Sequence, residues 1–172
     1  MKRAITASVL LLCLAFAAPV LAEGGKIGSV DVQKVLLFSE SGKGAKEQLA
    51  QKANKYELDK NTKEEELKKL KAELEKQSVL LSESARITKE KDYQQKLKEY
   101  QRFLKDAQDD LQAKNDELTS RIVDEIVKVV QDYGRKNKYT FIFVKNEGMI
   151  YQDETADVTD DILKQFNASK KK

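Results

Sequence analysis

Histidine and tryptophan are absent from this 172-residue sequence, and cysteine and proline each occur once. Without histidine there is no Ser-His-Asp triad, no Cys-His dyad and no imidazole metal site. A single cysteine forms neither an internal disulfide nor a thiolate zinc site. Aromatic residues make up only 7% of the chain. Against these shortages stands a 35% share of charged residues, 32 Lys plus Arg facing 29 Asp plus Glu. High charge with few aromatics is the composition of long surface helices or of a disordered chain, and the spacing of the apolar residues must choose between them. The length suits about one domain of ordinary size.

Residues 1–22 read as a secretory signal peptide. Lys2 and Arg3 give a basic start, Ala4 to Ala18 an apolar run, and Val20-Leu21-Ala22 the small side chains of a cleavage site. The run is short for a membrane span of roughly 20 residues, which leaves a membrane anchor as the weaker alternative. Leu12 before Cys13 does not suit a lipoprotein cysteine. From Glu23 onward the chain has no Cys, Pro, His or Trp and a net charge of +1. It is expected to be exported yet free of disulfides, so packing or oligomerisation must stabilise it.

From Ala45 to Tyr133 there is neither glycine nor proline. Inside a helix those residues cost about 1 and about 3 kcal/mol, so their absence over such a span predicts helix. A heptad runs through it. The first arm places Leu49, Ala53, Tyr56, Lys60, Lys63, Leu67, Leu70, Leu74, Gln77 and Leu81 on its seam; the second places Tyr93, Leu97, Tyr100, Leu104, Ala107, Leu111, Lys114 and Leu118. Ile122, Ile126, Val129 and Tyr133 continue it after an extra four-residue step, a stutter that locally unwinds a left-handed supercoil. The pattern is weakest over Ser82 to Thr88, where hydroxyl side chains favour caps and turns. The tip of an antiparallel hairpin is expected there, near Ile87, with arms about 60–70 Å long. One continuous helix in a parallel dimer is the alternative. A tip at Ile87 sets Leu74 against Tyr100, Leu70 against Leu104 and Lys60 against Lys114. Such a like-charge layer predicts a hydrated weak point halfway along the hairpin.

Both ends of the chain look strand-like. Lys26 to Val30 follows a glycine pair, and Asp31 can cap a helical turn through Val35 to Phe38. Tyr139 to Val144 is β-branched and aromatic, Asn146-Glu147-Gly148 reads as a turn, and Met149 to Tyr151 as a returning strand. Thr159-Asp160-Asp161 starts a helix with a capping hydroxyl and two acids. The expected class is α+β, with a long antiparallel coiled-coil hairpin (42–133) on a small β-rich body (23–41 and 134–172). A body this small buries little surface and exposes sheet edges, so its sheet should be completed between subunits. Ile27, Val30, Phe141, Phe143 and Ile150 are the expected oligomerisation residues.

Charge is segregated along the hairpin, with net +5 over residues 68–105 and net −5 over residues 106–133. Several basic tips in an oligomer attract anionic surfaces or acidic clients, and salt weakens that attraction. Arg86, Lys89, Lys91, Lys96 and Lys98 are assigned to such contact on charge alone. Val79, Leu80, Ile87 and Phe103 lie off the seam, as tip packing or as contacts for exposed client segments.

These residues together resemble the Skp/OmpH family of periplasmic chaperones. The similar features are Lys26-Ile27-Gly28-Ser29-Val30-Asp31-Val32-Gln33 followed by Ser39-Glu40-Ser41-Gly42-Lys43, the charged hairpin, the Tyr139-to-Val144 strand, and Asp157-Val158-Thr159-Asp160-Asp161-Ile162-Leu163. The resemblance implies a homotrimer with an intersubunit β-barrel and three tentacles around a cavity. It implies a periplasmic holdase for unfolded outer-membrane proteins that delivers them to the outer-membrane assembly machinery. Some members are associated with lipopolysaccharide, which makes anionic lipid a further expected partner. No GxxxxGK[ST] loop is present, no cofactor is expected, and the acids and hydroxyls form no recognisable catalytic arrangement. Export, the near-neutral balance and the lack of a stacking platform argue against nucleic acid. A structural spacer of the cell envelope is the competing class.

Overall fold

A computed structural model describes residues 25–77 and 82–170. The expected leader and the candidate contacts Val79 and Leu80 lie outside the described residues. The described chain is mostly helical. Its elements are β1 (Lys26–Val30), α1 (Val32–Phe38), α2 (Glu40–Gln77), α3 (Glu83–Lys136), β2 (Tyr139–Val144), a 3-10 turn (Glu154–Ala156) and α4 (Thr159–Ser169). Among the described residues no helix is long and apolar enough to cross a membrane.

Local chemistry sets each boundary. The Asp31 side chain accepts from Lys34 N–H at 2.8 Å and caps α1 as the sequence predicts. The α1–α2 corner is sharp: Ser39 is fully buried, and its hydroxyl accepts from Gly42 N–H at 3.0 Å. A Cβ on Gly42 would stand 1.7 Å from the Leu36 carbonyl oxygen, so only glycine lets α2 turn away so closely. Ser82 caps α3, accepting from Ala85 N–H at 3.4 Å. At its far end the Asn137 amide bonds the Tyr133 carbonyl at 2.9 Å, and Lys138 takes a left-handed φ of 56° that turns the chain into β2.

β1 and β2 form a two-stranded parallel sheet in which Ile27 pairs with Phe141 and Val30 with Val144. Strands so paired need a crossover, and here the crossover is the whole hairpin. The returning strand expected at Met149–Tyr151 is absent within this chain. Met149 N–H is committed to a turn, closing on the Asn146 carbonyl at 3.0 Å, and Val158 N–H takes the Ser29 carbonyl at 2.9 Å on the other edge of β1. Residues 149–151 therefore pair with neither strand, and Ile150 and Tyr151 are 99% and 84% exposed.

The core lies where the sheet, α1, the base of α3 and α4 meet. Val30, Val35, Ile122, Ile126, Val158, Ile162 and Phe166 are all nearly or wholly buried together. The lower part of the expected hairpin thus belongs to the body as well, because Ile122 and Ile126 of α3 complete the core. Thr159 begins α4 but does not cap it. Its hydroxyl accepts from Asp31 N–H at 2.9 Å instead, and Asp157 accepts from Thr159 N–H at 2.9 Å.

Candidate functional site: the hairpin and the open sheet face

Helices α2 and α3 run antiparallel for most of their length, which settles the hairpin against the single continuous rod. Their rise gives about 57 Å for α2 and about 80 Å for α3. No described side chain of α2 is fully buried. The seam is half-buried and narrow, and polar ties cross it. Lys89 donates to Glu73 at 2.8 Å, Tyr100 to Glu64, and Tyr56 to Asp110 at 2.6 Å, with Lys52 also on Asp110. Hydrogen bonds from Lys52 and Tyr56 hold the Asp110 carboxyl below its usual range, and the bond to Asp110 raises the Tyr56 hydroxyl. Lys89 lowers Glu73 in the same way.

These ties correct the expected register. α2 ends at Gln77 and α3 begins at Glu83, so Ile87 is already inside α3. Partners on α3 are displaced by about ten residues, or about 15 Å, from those a tip at Ile87 would set. Tyr100 meets Glu64 instead of Leu74. The Lys60–Lys114 layer does not exist: Lys60 binds Glu57 at 3.0 Å and Lys114 binds Glu117 at 2.8 Å, each on its own helix. Phe103 takes the seam place expected of Leu104, which is 39% exposed. Its ring stands edge-on to Tyr56 at 6.0 Å between centroids, and Lys63 Nζ lies 5.3 Å from its centre. Lys63 thus sets its ammonium over an aromatic face, while Lys60 and Lys114 are neutralised by acids on their own helices. Ala53 and Ala107 line a groove of about 470 Å³ beside this cluster, flanked by Tyr56, Phe103, Leu104 and Leu111.

The predicted site residues divide accordingly. Ile87 is 55% exposed, whereas Phe103 is largely committed to the seam. Lys89 is half-buried and tied to Glu73, so it belongs to the hairpin and not to an open basic patch. Arg86 pairs with Glu83 at 3.0 Å and Lys96 with Glu99 at 3.6 Å. Lys91 and Lys98 are exposed and carry no ion pair among the described residues. Sequence reasoning missed the Tyr56–Asp110–Lys52 cluster. A tyrosine and a lysine one turn apart on one arm were its only signal, and the register that brings Asp110 to them was not legible.

At the other end the outer face of the sheet is open. Ile27, Phe141 and Phe143 are each more than half exposed, with the two phenylalanine rings stacked at 5.9 Å. Val30 points the opposite way and is buried in the chain's own core, so it has no surface to offer a second copy. Among the described residues no group of His, Cys, Asp and Glu side chains could hold a metal ion.

No curated protein matches this chain. Among solved structures, a candidate outer membrane chaperone (OmpH-like) of Caulobacter crescentus superposes with a TM-score of 0.79 at 16% identity, over 88% of each chain. Residues 26–166 match the family described as outer membrane protein (OmpH-like). That match takes in the sheet, the hairpin and most of α4, and the chain belongs to the OmpH-like family.

Proposed function

We propose that the chain is an ATP-independent periplasmic holdase, exported through a cleaved signal peptide, that binds unfolded outer-membrane proteins and passes them on for outer-membrane assembly. The observation that carries this reading is the hairpin in a chain of the OmpH-like family: among the described residues its two arms, beyond the core, touch only each other for about 50 Å. A chaperone role for the Caulobacter crescentus neighbour, which shares the fold, agrees with it. The exposed strip of Ile27, Phe141 and Phe143, continued by Ile150, suits a homotrimer whose bodies cover one another. Three hairpins would then enclose a cavity. Ile87 is the client contact that remains open to solvent, and Arg86, Lys91 and Lys98 are the contacts for anionic lipid or lipopolysaccharide. With no nucleotide to drive release, many weak contacts in fast exchange would hold and free the client.

The test dilutes a urea-unfolded porin into buffer with and without the protein, in the absence of nucleotide, and follows light scattering and sedimentation. Suppressed scattering and a soluble complex with one porin per three chains are expected. A trimer that captures no porin at any salt overturns the reading and leaves an envelope spacer.

A further inference from the structure

We infer that the outward face of α3 is a self-association surface that pairs antiparallel with α3 of a second copy of this chain. The charges on that face are sorted by sign along the helix. Lys91, Lys98 and Lys105 recur every seven residues, so they share one exposed stripe. Seen down the axis, Asp109 and Asp116 continue that stripe toward the body at nearly the same angle. None of the five has an ion pair among the described residues, although many charges elsewhere on the hairpin do. Asp116 accepts only a neutral bond, from Gln112 at 2.8 Å.

Charges of opposite sign lie off the stripe. In the basic half Asp92, Glu99 and Asp106 sit roughly a quarter-turn round the helix, and Glu99 is occupied by Gln95 and Lys96. In the acidic half Arg121 and Lys128 are likewise displaced, and Lys114 is held by Glu117. The face is therefore basic on one side of residue 107 and acidic on the other. A two-fold axis crossing α3 at that level brings Lys105 against Asp109 and Lys98 against Asp116 of the second copy, twice over. Such an isologous pairing sets four of the five charges on the stripe against opposite ones, whereas a parallel pairing opposes like with like. A uniformly anionic partner would engage only half of the face.

Sedimentation velocity of the purified protein in about 10 mM and about 1 M salt tests this, since the screening length contracts roughly tenfold between them. Low salt should double the sedimenting mass, counted from whatever species the protein forms at high salt. K98E alone or D116K alone should weaken the doubling at least about tenfold. An equimolar mixture of K98E and D116K should restore it, because the mixed pair keeps one Lys–Asp contact as it was and carries the other with its signs exchanged. The pair K105E and D109K gives the same test should either first variant lose helicity. No doubling in the unmodified protein, no rescue in the mixture, or loss in K98E with none in D116K each overturn the inference. The last would place the basic stripe against a different acidic surface of the second copy. No client is present, so the result is independent of the holdase reading.

Discussion

The hydroxyl of Thr159 accepts a 2.9 Å hydrogen bond from the backbone N–H of Asp31, joining the start of α4 to the entrance of α1 across 128 residues of sequence. Thr159 is 2% exposed, so water is not available to replace that bond. Replacing it with valine keeps the shape and orphans the amide, which should cost about 1–3 kcal/mol in urea unfolding. T159S should recover most of the loss. Equal losses in both variants would show that the methyl packing, and not the bond, matters.

Phe103 ties the middle of the hairpin to Tyr56 and Lys63. F103A should speed amide exchange in the outer parts of α2 and α3 by severalfold while leaving Ile122 and Ile126 as protected as before. Uniform acceleration through the core would mean that the hairpin does not open separately.

Lys138 holds φ at 56°, where a side chain is strained. K138G should raise stability by about 0.5–1 kcal/mol, through relief of that strain at the helix end. Lower stability in the glycine variant would contradict this account of the α3–β2 turn.

Asp157 supplies a pH dependence. Burial pushes its carboxyl up, but hydrogen bonds from Thr159 and the Lys145 ammonium at 3.3 Å outweigh that and leave it below the usual range. A carboxyl held low in the folded chain contributes stability that is complete above its unfolded value of about 3.9 and is lost as the pH falls through the folded one. The urea midpoint should therefore drop as pH is lowered from about 5 to about 2, and D157N should show a smaller drop. Identical profiles would remove Asp157 from the acid response.

Much of this was legible in local sequence because local chemistry decides it. The missing breakers between Ala45 and Tyr133 fix the long helices, Asp31 caps α1, Lys26–Val30 and Tyr139–Val144 form strands, and Asn146–Gly148 turns. Each outcome depends on interactions within a few residues. Errors arose mainly where partners were distant. Thr159 suits its own helix as a cap, but the burial of Asp31 N–H claimed the hydroxyl. Met149–Tyr151 has strand composition, but the Met149 amide is spent on its own turn, and Asp157 and Val158 already occupy the far side of Ser29. Val30 has the apolarity of an interface residue and was taken into the chain's own core.

The sequence by itself determined that two amphipathic arms would stand on a small body rich in apolar residues, because periodicity and breaker placement act within each element. Only the tertiary structure decided which residue of one arm meets which of the other. A heptad seam fits nearly as well when it slides by whole turns, so the register is set by side chains that must find one another in space: Tyr56 with Asp110, Lys63 over Phe103, and Lys89 on Glu73.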